Sequence, residues 1–131
     1  MCAQNPANFN VTYSNLSSKN FGSNPGTSYP NWWYFDTTLQ ELDGLIGITV
    51  ENRQKCYNAS DGNNWCGSVK TDISTKFGTN YISPGNSIIW NNNWVAFLSG
   101  FDYTTIETFN GTDDNGNFVS KSYSFTYGTA N

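Results

Sequence analysis

The segment Phe118-Val-Ser-Lys-Ser-Tyr-Ser-Phe-Thr-Tyr127 decides the fold class of this chain. Small polar residues separate its apolar side chains, which are Val119, Tyr123, Phe125 and Tyr127. Because successive side chains of a β-strand point to opposite faces, this alternation predicts a strand with one buried face. The segment 69–77 alternates in the same way, with Val69, Thr71, Ile73, Thr75 and Phe77 on one face, and it predicts a second strand.

Shorter segments of the same kind recur along the whole chain, separated by turn residues. They predict strands at 9–13, 32–35, 45–50, 87–90, 94–98 and 104–109. Asn91-Asn-Asn93 is expected to form a tight turn between two of them, because Asn tolerates left-handed backbone angles. Leu39 to Asp43 is expected to form one helical turn.

Eight or nine short strands with regularly spaced turns indicate an all-β fold, an antiparallel β-sandwich of the jelly-roll kind. A closed β-barrel is the alternative. The 131 residues suit a single domain. Residues 9–131 are expected to form it, and the polar residues 1–8 are expected to be a flexible N-terminal tether.

The charge of the chain argues against several classes of partner. Only 12% of the residues are charged, and the net charge is −4. Binding to nucleic acid or to an anionic membrane needs clustered Lys and Arg, whereas the six basic residues are scattered along the sequence. No apolar run approaches the roughly 20 residues of a transmembrane helix.

The cysteines and sequons favour a secreted or cell-surface location. Cys56 and Cys66 flank a short polar loop and are predicted to form a disulfide. Cys2 is then left over, as a free, intermolecular or lipidated residue. Asn10, Asn15, Asn58 and Asn110 begin Asn-x-Ser/Thr sequons, which a chain this rich in Asn, Ser and Thr also produces by chance.

The residues available for catalysis are few. The absence of His excludes Ser-His and Cys-His nucleophiles and His-ligated zinc. Carboxylate chemistry remains, with Glu41, Glu51 and Glu107, although simple surface solvation explains them as well. The chain is therefore expected not to be an enzyme, with a carboxylate glycosidase left open.

One segment has oxygen ligands at the spacing of a calcium loop. Asp113, Asn115 and Asn117 alternate there, and a hairpin turn at Asn115-Gly116 is the alternative interpretation. No other metal or cofactor is expected.

The five tryptophans suggest binding of a neutral glycan by a lectin-like module. Flat aromatic faces stack on sugar rings, and amides bond to the hydroxyl groups. The candidate site comprises Trp65, Trp90, Trp94, Asn91, Asn92, Asn93 and Asp61. Trp90 and Trp94 could instead be a cross-strand pair inside the sandwich.

Two other functions fit the sequence. The chain could be a homo-oligomeric subunit of a surface filament, coat or fibre, since its faces are polar and uncharged. It could also bind lipid head groups as a membrane-active β-sandwich. In that case the interfacial aromatic cluster would be Tyr29, Trp32, Trp33 and Tyr34.

Overall fold

The computed structural model describes residues 6–59, 62–97 and 103–127, which form two antiparallel sheets. The elements are β1 (Phe9–Ser14), β2 (Asn31–Glu41), β3 (Ile48–Ala59), β4 (Asn64–Cys66), α1 (Ile73–Phe77), β5 (Tyr81–Ile82), β6 (Ser87–Phe97), β7 (Tyr103–Asp113) and β8 (Phe118–Tyr127). One sheet has the order β1-β2-β6, and the other has β4-β3-β7-β8 with β5 paired to β3. The antiparallel sandwich is confirmed, and the barrel alternative is wrong because the sheets do not close.

The core lies between the inner faces of the two sheets. Burial alternates residue by residue along β2 and β7, as the pleat of a strand requires. The fully buried apolar side chains include Trp33, Phe35, Leu39, Ile48, Val50 and Phe109. Burial of each stabilises the fold by about 1.5–3 kcal/mol. On β8 the predicted inward residues Val119, Tyr123 and Phe125 are buried; the side chain of Tyr127 lies outside the described part.

The strand predicted over 69–77 is wrong. Val69 is exposed in a loop, and residues 73–77 form α1, which ends at Gly78 with a φ of 81°. Ile73 and Phe77 are the buried residues of the helix. They are four residues apart, a spacing that lies on one face of a strand and also on one face of a helix, so the pattern was ambiguous.

The turn predicted at Asn91-Asn-Asn93 is also wrong, because β6 runs through it without interruption. Opposite the segment Phe35 to Thr37 of β2, β6 contains one extra residue, which produces a β-bulge. Asn92 takes a left-handed φ of 60° there. The ability of Asn to adopt left-handed backbone angles therefore serves a bulge here, instead of the predicted hairpin turn.

The helical turn predicted at Leu39 to Asp43 does not form, because β2 extends to Glu41. Leu39 and Glu41 both point inward and are buried. The Glu41 carboxylate accepts hydrogen bonds from the backbone N–H groups of Asp43, Gly44 and Gly85, at 2.7–2.9 Å. The buried charge of Glu41, at the end of β2, is thus compensated by hydrogen bonds from backbone N–H groups.

The N-terminal chain is anchored from Ala7 onward. Ala7 is buried, and its N–H donates to the Asp113 carboxylate at 2.9 Å. Asp113 also accepts the backbone N–H groups of Asn115 and Asn117. The Asp113 carboxylate therefore bonds both to the β7–β8 turn and to the backbone that precedes β1.

The predicted disulfide between Cys56 and Cys66 is confirmed. The two residues are directly opposite each other on β3 and β4. The bond fixes the three-residue strand β4 at the edge of its sheet. Cys2 lies outside the described residues.

Gly111 permits a close approach of β7 to β3 at a second bulge, between Val50 and Asn52. A Cβ atom on Gly111 would lie 2.3 Å from the carbonyl oxygen of Thr49. We therefore expect Gly111→Ala to lower the free energy of unfolding by about 1–3 kcal/mol, measured by urea denaturation. Gly67→Ala is the matched control, because its nearest backbone neighbour would be 3.8 Å away. Equal losses in the two variants would contradict this account.

Glu41 should make the fold sensitive to acid. Burial raises the pKa of Glu41, but the three backbone donors outweigh it, so the pKa lies below its usual value of 4.5. A lowered folded-state pKa gives stability that is present above the unfolded-state pKa and is lost as the pH falls through the folded-state value. We expect Glu41→Gln to be less stable at pH 7 and to lose less stability between pH 5 and pH 3 than the wild type, by urea denaturation. Glu51→Gln, which removes an exposed carboxylate, is the matched control, and the same change of stability in both variants would contradict this explanation.

Candidate ligand-binding cleft

A cleft of about 360 Å³ opens at the edge of the sandwich, between β3 of one sheet and β6 of the other. We call it the edge cleft. Residues 67–76, which follow β4, form its third side. Four of the six basic residues of the chain line it: Arg53, Lys55, Lys70 and Lys76. The fold thus gathers on one surface the cations that are dispersed in the sequence.

A buried polar network lies behind the edge cleft and centres on Glu107 of β7. Glu107 is 0% exposed and accepts hydrogen bonds from Arg53 at 3.0 Å, Asn93 at 3.1 Å and the Tyr123 hydroxyl at 2.5 Å. The Asn93 amide also donates to the Thr37 hydroxyl at 2.9 Å. Side chains from both sheets therefore meet at one carboxylate.

Arg53 connects this network to the surface. It donates two parallel hydrogen bonds to Asp72, both at 2.9 Å, and a third to Glu107. Burial lowers the pKa of Arg53, but the two carboxylates raise it by more, so the guanidinium stays charged. Burial likewise raises the pKa of Asp72, and its bonds to Arg53 lower it by more, so the net pKa is below normal. Arg53 is consequently fixed in place.

Lys55 is the second fixed cation. Its ammonium donates to the Asn93 side-chain oxygen at 2.6 Å and to the Trp94 carbonyl at 2.8 Å. Burial lowers the pKa of Lys55 to about 8, against the opposing attraction of Glu107. Lys55 is therefore mostly charged at pH 7 and loses its charge in mildly alkaline solution.

Lys70 and Lys76 are the exposed cations of the edge cleft. In the part of the chain that the structure describes, neither makes an ion pair with a carboxylate. The Lys76 ammonium lies 5.5 Å from the centre of the Trp90 ring. These two residues leave positive charge facing the solvent.

Aromatic rings form the floor and one rim of the edge cleft. Trp90 is buried beneath it, with the Arg53 guanidinium 4.6 Å and the Lys55 ammonium 5.1 Å from its ring centre. Trp94 is half-buried and lines the cleft. At the rim, Tyr57 packs on Trp65 with ring centres 5.3 Å apart. Burial raises the pKa of Tyr57 to about 12, so the phenol is neutral.

The structure brings together part of the glycan site that was predicted from the sequence. Trp90 and Trp94 share the edge cleft, and Trp65, 42% exposed, reaches it through Tyr57. The asparagines are divided, since Asn93 is buried in the Glu107 network and Asn92 lines a different cleft.

The other two members of that site are Asn91 and Asp61. Asn91 is exposed on β6 and does not line the edge cleft, and Asp61 lies outside the described residues.

In the interfacial aromatic cluster, Trp33 lies on the inner face of β2, whereas Trp32 and Tyr34 lie on the other face. Trp33 is 1% exposed and packs against Phe97 in the core. Trp32 donates its indole N–H to the Phe21 carbonyl, and the Tyr34 hydroxyl donates to Ser23. Tyr29 is exposed. No helix in the described residues is long and apolar enough to cross a membrane.

The three glutamates do not share a groove. Glu107 is in the core, Glu41 holds two loops, and Glu51 is exposed and accepts a hydrogen bond from Thr112. Within the described ranges, no three His, Cys, Asp or Glu side chains are grouped as metal ligands. At the calcium-like segment, Asp113 accepts N–H groups from Ala7, Asn115 and Asn117, which gives its carboxylate a structural role.

The sequons lie in different environments. Asn10 and Asn58 are exposed on β1 and β3. The side-chain amides of Asn15 and Asn110 donate to Asp36 and Asn52, at 2.7 Å and 3.0 Å. The amide nitrogen that would carry a glycan is therefore already bonded in two of the four.

The clustering of cations at the edge cleft was not predicted from the sequence. Arg53 and Lys55 alternate on β3 and could have indicated a basic inner face at a sheet edge. Lys70 and Lys76 lie on the segment 69–77, which was predicted to be a strand and instead contains α1. Only the packing of that segment against β3 reveals the cluster, through the bridge between Arg53 and Lys70.

The fold and the cleft together define a β-sandwich with a basic, aromatic edge cleft. Two solved structures are similar to it in fold. The putative ApaA protein from Bordetella pertussis has a TM-score of 0.63 at 11% identity, over 94% of each chain. A Northeast Structural Genomics Consortium target, SoR45, has a TM-score of 0.62 at 12% identity, over 95% of this chain and 87% of its own. No family model and no curated protein matches the chain.

Glu107 should be essential to stability because its removal leaves Arg53 and Lys55 with one fewer counter-charge in the interior. We expect Glu107→Gln to lower the free energy of unfolding by about 3 kcal/mol, measured by urea denaturation at pH 7. Glu51→Gln, on the exposed face, should change it by less than about 0.5 kcal/mol. A wild-type midpoint in Glu107→Gln would show that the network does not hold the sheets together.

Proposed function

We propose that this chain is a non-catalytic, lectin-like module of the cell exterior whose edge cleft binds an acidic glycan. The observation that carries the proposal is the convergence of four of the six cations on one aromatic cleft, in a protein of net charge −4. Such a local reversal of charge sign favours an anionic ligand. The neutral glycan expected from the sequence is thereby replaced by one bearing carboxylate or sulfate groups.

The fixed and exposed cations would act differently on such a ligand. Arg53 and Lys55 are held by Glu107, Asp72 and Asn93, so their charges need no reorganisation on binding. Exposed Lys70 and Lys76 are free to pair with carboxylate or sulfate oxygens. Hydrogen bonds to charged groups contribute about 1.5–3 kcal/mol each.

The aromatic surfaces favour a sugar over a simple inorganic anion. Trp94 and Tyr57 present half-exposed rings at the cleft, on which the C–H face of a pyranose could stack. A volume of about 360 Å³ is at the small end for a ligand pocket, which suits one or two sugar rings. The ligand would therefore be recognised by its charge and by a ring face together.

The proposal is tested with a sulfated, a uronate and a neutral hexasaccharide, by isothermal titration calorimetry at 50 mM and 300 mM salt. We expect the acidic hexasaccharides to bind at the edge cleft, more weakly at high salt. Lys70→Ala/Lys76→Ala should weaken their binding at least about tenfold, which corresponds to about 1.4 kcal/mol, and should leave any binding of the neutral hexasaccharide unchanged. Raising the pH from 7 to 9 should also weaken binding, since Lys55 loses its charge near pH 8.

The matched control is Lys19→Ala/Lys121→Ala, which removes the same charge from residues that do not line the edge cleft. Its affinity should stay within about twofold of the wild type. Equal losses in both double variants would show that only net charge matters. The proposal would be refuted if the neutral hexasaccharide bound as tightly as the acidic ones and lost as much affinity in Lys70→Ala/Lys76→Ala. If no saccharide binds and native mass spectrometry shows a multimer, the assembly function replaces it.

A further inference from the structure

A second cleft, of about 430 Å³, lies between the chain that follows β1 and the neighbouring part of β2. We call it the outer cleft. After Asn15, the chain runs alongside β2 and is fastened to it by backbone bonds from Ser17 to Tyr34 and from Asn20 to Trp32, both at 2.8 Å. The side-chain oxygen of Asn20 accepts a further bond from Trp32, also at 2.8 Å. The cleft wall is thus a bonded part of the fold.

Donors from two separate parts of the chain hold a carboxylate in the lining of this cleft. Asp36 accepts a hydrogen bond from the Asn15 side-chain amide at 2.7 Å and one from the Asn92 backbone N–H at 3.1 Å. Asn15 and Asn92 both have left-handed φ angles, of 57° and 60°. Asn adopts this conformation more readily than other residues with a Cβ atom, and here two such Asn residues donate to one carboxylate.

Aromatic surface lies beside the carboxylate. Phe21 lines the outer cleft and is 64% exposed, although its backbone carbonyl accepts the Trp32 indole N–H at 3.2 Å. Tyr34 is fixed by its hydroxyl, which donates to the Ser23 carbonyl at 2.5 Å. An exposed ring on a bonded segment is a ready platform for stacking.

The charge and hydrogen-bonding groups determine the class of ligand. Among the described residues, those that line the outer cleft include no Lys or Arg, so this cleft offers no cation to the anions proposed for the edge cleft. Its polar groups mix acceptors and donors, namely Asp36, Asn15, Asn92, Ser17 and Ser23. Each hydroxyl of a sugar both donates and accepts, so this mixture matches a polyhydroxyl ligand.

We propose that the outer cleft is a second binding site, specific for a neutral saccharide. Asp36 accepts hydrogen bonds from the hydroxyl groups of the sugar, and Phe21 stacks on its ring. Asn15 and Asn92 are positioning residues, because they hold the carboxylate in place. This site is distinct from the edge cleft, because the described residues that line the two clefts do not overlap.

The test is titration of the ¹⁵N-labelled protein with lactose, maltose, cellobiose and chitobiose up to about 50 mM, followed by NMR chemical shifts, because single weak sites have millimolar dissociation constants. At least one disaccharide should shift the amides of residues 15–23, Asp36 and Asn92 while leaving residues 68–76 unmoved. Phe21→Ala should weaken binding at least about fivefold, as should Asp36→Asn.

Two controls make the result decisive. Phe118→Ala removes an equally exposed ring, 69% exposed on β8, and should bind like the wild type. Lys70→Ala/Lys76→Ala should also bind like the wild type, which separates this site from the edge cleft. The proposal is overturned if none of the disaccharides shifts residues 15–23, if Phe118→Ala loses as much affinity as Phe21→Ala, or if tetramethylammonium binds there and the sugars do not. If Asp36→Asn fails to fold, Phe21→Ala alone decides.

Discussion

The carboxylate of Glu107 determines how the two sheets face each other. It is fully buried, and a buried carboxylate costs several kcal/mol unless hydrogen bonds compensate for the lost water. Arg53, Asn93 and Tyr123 supply those bonds from three strands. A shift of β6 by one residue would turn Asn93 outward and leave Glu107 without one of its donors. The network therefore specifies the register of the sandwich in a way that apolar packing alone does not.

The sequence predicted a strand correctly where one face of the strand is buried and where the spacing of the apolar residues does not also fit a helix. On β8 the spacing of Val119, Tyr123 and Phe125 fits only a strand, and the residues are buried as expected. Ile73 and Phe77 fit both a strand and a helix, and the choice was made by tertiary contacts, in which Phe77 packs on Trp90 and Phe109. Local pattern could not decide this, because the deciding rings come from distant strands.

The candidate site was predictable only in its aromatic part. Trp90 and Trp94 could be proposed because their composition and spacing are visible locally. The cations could not, since Arg53 and Lys70 become neighbours only through a bridge between segments seventeen residues apart. Asn93 shows the opposite case. Its residue type suggested a ligand-binding amide, whereas the bulge in β6 turns it into the core, where it bonds to Glu107.

The division between fixed and exposed cations has a consequence for how this cleft could be changed by evolution or by engineering. Arg53 and Lys55 are bonded into the interior, so their replacement would disturb folding. Lys70 and Lys76 lie on the exposed side of the segment that connects β4 to β5. Under the proposed function, substitutions of these two lysines would alter ligand preference while the scaffold remained intact. The sandwich would then be a framework on which a short exposed segment sets specificity, while the charges of Arg53 and Lys55 stay constant.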